Sequence, residues 1–175
     1  NPSLVGSEMC IRDSPEPDQT ILCRRDEIIS ALKRFVPAGA VIDDDTTMAA
    51  YDTDGLSAYR NQPLVVVLPE TTQQVAAVMK WCLNNDVKIV PRGAGTSLSG
   101  GAIPLADGVL LGLGKFNQIL DIDFINRTVT AQPGVTNLGI TQAVQDEGFY
   151  YAPDPSSQIA CSIGGNIAEN SGGVH

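Results

Sequence analysis

Apolar and polar positions change period several times along the chain, and each change marks an element. In "RRDEIISALKRFVP", Ile28, Leu32 and Phe35 recur at helical spacing and Ile29 and Val36 widen the stripe, so a helix is predicted there. Pro37 and Gly39 stop it. The next stretch, "DDDTTMAAYDTDGLSAYRNQP", is polar and turn-rich, and its acidic run reads as a solvated face. "LVVVLPET" is short, β-branched and continuously apolar, the pattern of a strand buried on both faces. Thr71 and Gln74 suggest a capping box. A helix follows, with Val75, Val78, Met79 and Cys82 on its inner face, and "VKIVPRG" then returns as a strand. This βαβ unit predicts parallel strands joined by a right-handed crossover.

The period then shifts. "GVLLGL" reads as a strand, and "QILDIDFINRTVTAQPG" alternates and turns at Asn126–Arg127 as an antiparallel hairpin. Thr136 caps a helix that Gly148 ends. Residues 149–173 read mostly as loop. The fold class is therefore α+β, with a small parallel lobe followed by an antiparallel one.

Composition narrows the function classes. The net charge of −9 disfavours nucleic acid and anionic membrane as main partners. No apolar run reaches the roughly 20 residues that a bilayer requires. The cysteines, Cys10, Cys23, Cys82 and Cys161, form no C-x-x-C pair, so no zinc site is expected and the thiols read as reduced in a cytoplasmic setting. No basic-then-apolar leader is visible. His175 is the single histidine, which argues against a Ser–His or Cys–His catalytic pair.

The strongest chemical signal is "PRGAGTSLSGGAIP", where a strand runs into glycine. A G-x-G-x-x-G fingerprint on Gly93 and Gly95 would need glycine where Leu98 stands. A Walker A motif from Gly95 to Gly100 would need lysine and a hydroxyl where Gly101 and Ala102 stand. Both motifs are broken. A loop of permissive backbone with unpaired N–H groups remains, with Arg92 adding one positive charge, and such a loop makes an anion nest. A second segment, "PDPSSQIACSIGGNIAENSGG", repeats the chemistry with a rigid Pro-Asp-Pro bend, serines and paired glycines. Two such segments suggest two walls of one elongated cleft.

"PRGAGTSLSGG", "QPGVTNLG" and "PDPSSQIACSIGGNIAENSGGVH", in that order and spacing, resemble the FAD-binding domain of the vanillyl-alcohol oxidase/para-cresol methylhydroxylase type, and within it the branch that oxidises glycolate and related 2-hydroxy acids. The resemblance covers roughly residues 24–175. It implies a two-lobed fold with FAD between the lobes. It places Arg92, Gly93, Ala94, Gly95, Thr96, Ser97, Gly100 and Gly101 around the pyrophosphate, and Pro69 beside the adenine. Pro133, Gly134 and Val135 would line the adenosine end. Ser156, Ser157, Cys161, Ser162, Gly164, Gly165, Asn166, Ala168 and Asn170 would run along the ribityl chain and flavin. Some relatives attach FAD through a histidine in the first glycine loop. Thr96 stands there, so non-covalent FAD is implied, and Cys161 reads as an inert packed thiol. The family also implies an FAD-dependent dehydrogenase or oxidase acting on glycolate, D-lactate or D-2-hydroxyglutarate, with partner subunits for electron transfer, through which a position peripheral to the inner membrane is the alternative to a purely cytoplasmic one. The alternative is an FAD-binding module without turnover. Catalytic residues are not assigned.

"SLVGSEMCIRDS" has neither helical nor strand periodicity and resembles translated sequencing-adapter read-through. Residues 1–14 are therefore set outside the fold as a non-native or disordered tail. Residues 15–175 are read as an FAD-binding domain cut short of its substrate half and inactive by itself. Deleting residues 1–14 is expected to leave the melting temperature unchanged. A fall of several degrees, on the order of 1 kcal/mol, would show instead that the tail packs on the domain.

Overall fold

The computed structural model describes residues 16–175, so the expectation about the tail lies outside the described residues. The chain begins with α1 (Gln19–Cys23) and α2 (Arg25–Leu32). It continues through β1 (Val41–Ile42), α3 (Asp45–Met48) and a 3₁₀ turn at Ala49–Tyr51. Next come β2 (Val65–Val67), α4 (Thr72–Asn84), β3 (Lys88–Arg92) and β4 (Gly108–Gly112). The second lobe holds β5 (Ile119–Asp123), β6 (Thr128–Ala131), α5 (Asn137–Val144) and α6 (Ile163–Ala168).

The first sheet has the order β1-β2-β4-β3, with β1 antiparallel to β2 and the other pairings parallel. The βαβ strands β2 and β3 are parallel, but they do not pair with each other. β4 lies between them, with Val66 opposite Leu110 and Leu110 opposite Val90. All five of its residues are buried, as a central strand covered on both faces requires. Pro91 lacks an N–H and is tolerated because β3 is the sheet edge.

Alternation along the strands sorts the core onto two faces. Val65, Val67, Val109 and Leu111 pack with Ile28, Leu32, Val78 and Cys82 beneath α2 and α4. Val66, Leu110 and Val90 face the other way, onto Met48. Burial pushes the Cys82 thiol up to about 11, so it stays protonated and inert at neutral pH. In the second lobe Val135, Ile140 and Ile163 are buried with Val129 and Ala131 of the hairpin against them.

Several local expectations hold with adjustments. Thr71 accepts the Gln74 N–H, while Gln74 reaches back to the N–H of Glu70, one residue short of a closed capping box. Met79 is half exposed and does not join the inner face of α4, where Trp81 packs instead. The helix predicted from Ile28 onward, α2, ends at Leu32, so Phe35 and Val36 pack from the turns that follow it. Val41–Ile42 pairs as a strand although too short to show a period. Residues 149–173 are not all loop, because Ser162 caps α6 by accepting the Gly165 N–H.

Asp107, at the start of β4, is buried and accepts from the Lys88 ammonium at 2.6 Å and the Asp18 N–H at 2.9 Å. Burial pushes its carboxyl up, but those two donors outweigh burial and hold it below the ordinary 3.8. A carboxylate depressed in the folded state stabilises above its unfolded pKa, and this is lost as pH falls through the folded one. Stability is therefore expected to fall as pH drops below about 4, and less steeply in Asp107→Asn. Equal slopes in urea titrations across that range would assign the acid sensitivity to other carboxylates.

Candidate functional site

The first glycine loop leaves the carboxyl end of β3, where ligands of parallel sheets gather. Gly95 and Gly100 have φ of 71° and 77°, in the left-handed region. Among the described residues, no N–H from Ala94 to Leu98 donates to a protein acceptor. The loop is closed by Ser99 donating to the Ser97 hydroxyl at 3.2 Å and Ile103 donating to the Gly100 carbonyl at 3.2 Å. Successive unpaired donors around a left-handed residue form a concavity for an anion.

Arg92 does not point freely into this concavity. Its guanidinium lies under Gly95 and donates to the carbonyls of Thr53 at 2.6 Å and Tyr51 at 3.2 Å. It also stands 5.8 Å from the centre of the Tyr51 ring. Burial pulls the Arg92 pKa down, and the charge of Asp54 opposes this. The residue contributes positive potential from beneath the loop.

The other predicted segments converge on the loop through Ser162. A Cβ on Gly93 would collide with the Ser162 hydroxyl, and Gly165 N lies 4.0 Å from the same point. Thr136 bridges Ser162 as an isolated β-pair. Ile163 donates to Val135, and Gly164 to Pro133, each at 2.8 Å. Gly134 donates to the Phe116 carbonyl at 2.6 Å, tying the same segment to the turn after β4. The Glu169 carboxylate comes to 4.0 Å from a Cβ built on Gly101.

The remaining predicted residues are placed as follows. Cys161 is buried and reduced, and its carbonyl accepts the Asn137 N–H. Ser157 closes a turn by accepting from Ala160 and Cys161. Ser156, Ala168 and Asn170 are exposed. Pro69 is fully buried and offers no open face. The Asn166 amide nitrogen is buried without a partner, and so are both polar atoms of Asn137. Buried polar atoms without partners mark places where a ligand or water belongs.

Sequence reasoning missed two supports of the site. One is Tyr51–Leu56, inside the stretch read as a solvated face. Gly55 there touches the carbonyls of Thr96 and Ser97. The other is Asp154, whose carboxylate accepts from Val174 N, His175 N and His175 Nδ1 at 2.9–3.2 Å. The His175 N–H, first among these donors, holds the Asp154 carboxyl below the usual carboxylate range. Asp54–Gly55 is a turn dipeptide, and such a local signal says nothing about a partner forty residues on.

A cavity of about 860 Å³ opens elsewhere, between the hairpin, α5 and α6, lined by Phe124, Val129, Ile140, Phe149, Ile163 and Ile167. Pro133 and Gly164 border it, but no residue of the 93–101 loop does. Its wall is mainly apolar, so the loop, with its run of unpaired N–H groups around left-handed glycines, is the better candidate for an anionic ligand.

The family described as "FAD binding domain" matches residues 63–175. Glycolate oxidase subunit GlcD of Escherichia coli K12 is 54% identical over 173 residues, which is 99% of this chain and 34% of that protein. D-2-hydroxyglutarate dehydrogenase of Stutzerimonas stutzeri is 35% identical over 147 residues, 84% of this chain and 32% of that protein. The chain thus spans about a third of the length of these relatives. The crystal structure of p-cresol methylhydroxylase with substrate bound superposes with a TM-score of 0.70, over 87% of this chain and 30% of that one. At 21% identity that likeness is one of fold.

The packing of Gly164 makes a testable contrast with Gly172. A Cβ on Gly164 would lie 2.7 Å from Pro133 Cβ and 3.0 Å from its carbonyl oxygen, whereas one on Gly172 meets nothing. Gly164→Ala is expected to destabilise by about 1–3 kcal/mol, and Gly172→Ala to be nearly neutral. Thermal melts of the two variants check this. Equal melting temperatures would mean that the 133–135 strap yields freely.

Proposed function

The chain belongs to the FAD binding domain family, and from that premise we propose that it is the FAD-binding part of an oxidoreductase that converts glycolate or a related 2-hydroxy acid to the 2-oxo acid. The observation that carries this reading is the run of N–H groups from Ala94 to Leu98 without protein acceptors, at the end of a parallel strand. A pyrophosphate supplies the acceptors such a run lacks. When bound, FAD supplies the acceptor for the hydride that leaves the substrate carbon.

The chain's own residues bind and orient. The loop donors hold the phosphates, and Arg92 contributes charge from below. The partnerless amide of Asn166, on α6, supports placing the flavin end along the second glycine motif. Thr96 has no chemistry for attaching a flavin, so binding is non-covalent. The Cys161 thiol is buried, which suits packing better than bond formation.

The substrate pocket is not assigned to these residues. Arg24 pairs with Glu27, Arg60 with Asp52, and Arg25 donates to the carbonyls of Leu64 and Asp43. None of these three is free to form a bidentate carboxylate clamp, and the relatives have about two thirds of their length outside the matched part. One relative is named as a subunit, which supports the reading that companion subunits assemble with this chain; their role as electron acceptors is part of the proposal. No described helix is long and apolar enough to cross a membrane.

The purified chain is expected to bind FAD and not NAD, and acid precipitation is expected to release all the yellow colour. Colour left in the pellet would overturn the non-covalent assignment. Gly95→Val introduces a β-branched residue at φ 71°, and FAD affinity is expected to fall at least tenfold, about 1.4 kcal/mol. Well-folded protein that takes up no flavin in a fluorescence titration would overturn the proposal.

A further inference from the structure

The stretch Tyr51–Leu56 touches the glycine loop along its length. At the start, Arg92 reaches under Gly95 to the carbonyls of Thr53 and Tyr51, at 2.6 and 3.2 Å. At the far end, Asp54 is buried and its carboxylate accepts two N–H groups: Leu56 on Oδ1 at 2.8 Å, and Ala102 on Oδ2 at 3.3 Å. Between them, a Cβ on Gly55 would stand 2.6 Å from the Ser97 carbonyl oxygen and 2.8 Å from that of Thr96.

The last contact orients one of the loop's peptide dipoles. In a planar trans peptide the C=O and N–H point in opposite directions. The Thr96 carbonyl belongs to the same peptide unit as the Ser97 N–H, and the Ser97 carbonyl to the same unit as that of Leu98. The Ser97 carbonyl meets Gly55 oxygen first, which turns the Leu98 N–H away from the segment, whereas the Thr96 carbonyl lies side-on, with its oxygen at 2.8 Å and its carbon at 3.1 Å from the same Cβ position.

We propose that Tyr51–Leu56 is a brace that holds the glycine loop, with its N–H groups free of protein acceptors, before the cofactor arrives, and that Asp54 and Gly55 are positioning residues for the FAD pyrophosphate. The proposal rests on the FAD reading of the loop. Asp54 holds the far end, Arg92 the near end, and Gly55 lets main chain meet main chain in the middle. Neither Asp54 nor Gly55 belongs to a glycine motif of the site. Preorganised donors bind an anion more tightly because binding itself then orders little.

The test measures FAD and ADP affinity of the full chain by fluorescence titration and competition, beside the melting temperature of the cofactor-free protein. Gly55→Ala drives a methyl against the Thr96 and Ser97 carbonyls. Asp54→Asn keeps an acceptor for Leu56 but can lose the one for Ala102. Each variant is expected to bind FAD and ADP about tenfold more weakly, with adenosine, which lacks the phosphates, unaffected. Gly55→Ala is expected to lower the melting temperature by about as much as Gly164→Ala does, with both variants still folded at the titration temperature and the loss of FAD and ADP affinity exceeding that of adenosine. If both variants bind FAD and ADP like the parent, the brace is refuted while the FAD reading stands. If affinity for adenosine falls in step with that for FAD, or if both variants lose affinity only in step with melting temperature, the segment merely supports the fold and the proposal is wrong. If the folded parent binds neither FAD nor ADP, the reading of the loop fails, and the brace with it.

Discussion

Main chain packs directly on main chain where the glycine-rich segments meet. Gly164 lies on Pro133, Gly134 on the carbonyls of Leu113 and Phe116, and Gly55 on those of Thr96 and Ser97. None of these contacts leaves space for a Cβ. Together they bring loops from both lobes to one place. The hydrogen bonds that run beside them, from Ile163 to Val135 and from Gly164 to Pro133, are possible only at that distance.

The sheet makes the convergence possible. β4 passes between β2 and β3, and its five buried residues anchor both neighbours. Alternation sends Val109 and Leu111 to one core and Leu110 to the other, so the strand cannot slip by one residue without exchanging its faces. The carboxyl end of β3 is thereby fixed, and the glycine loop begins from a rigid point.

An acidic chain can still hold an anion, because the donors are local. The net charge is −9, yet the Ala94–Leu98 N–H groups are unpaired and Arg92 lies just beneath them. A partly desolvated guanidinium and oriented backbone dipoles act over a few ångströms, where screening by the distant surface carboxylates matters little. Two carboxylates are the nearby exceptions: Asp54, which accepts the Ala102 N–H, and Glu169 beside Gly101, both at the loop's far end.

Much of the local structure was legible in the chain itself. Residues 65–67 read as a strand buried on both faces because short β-branched runs have few other stable fates. Thr71, Thr136 and Ser162 all cap helices, two of them foreseen, because a hydroxyl at that position satisfies a donor within its own turn. The glycine motifs announced backbone that something must approach closely. Strand order was not legible: nothing local in "GVLLGL" says that it pairs on both sides. Nor was the role of Tyr51–Leu56, whose polar residues look solvated until Arg92 and Ala102 arrive from elsewhere in the chain. Met79 has the right period for the core and is half exposed, while Trp81 packs against the core beside α4. Periodicity, caps and permissive backbone are short-range properties, and residues a few positions apart settle them. Which carbonyl Arg92 meets, and which glycine must lie on which strand, are decided by contacts across tens of residues, which only the folded chain brings together.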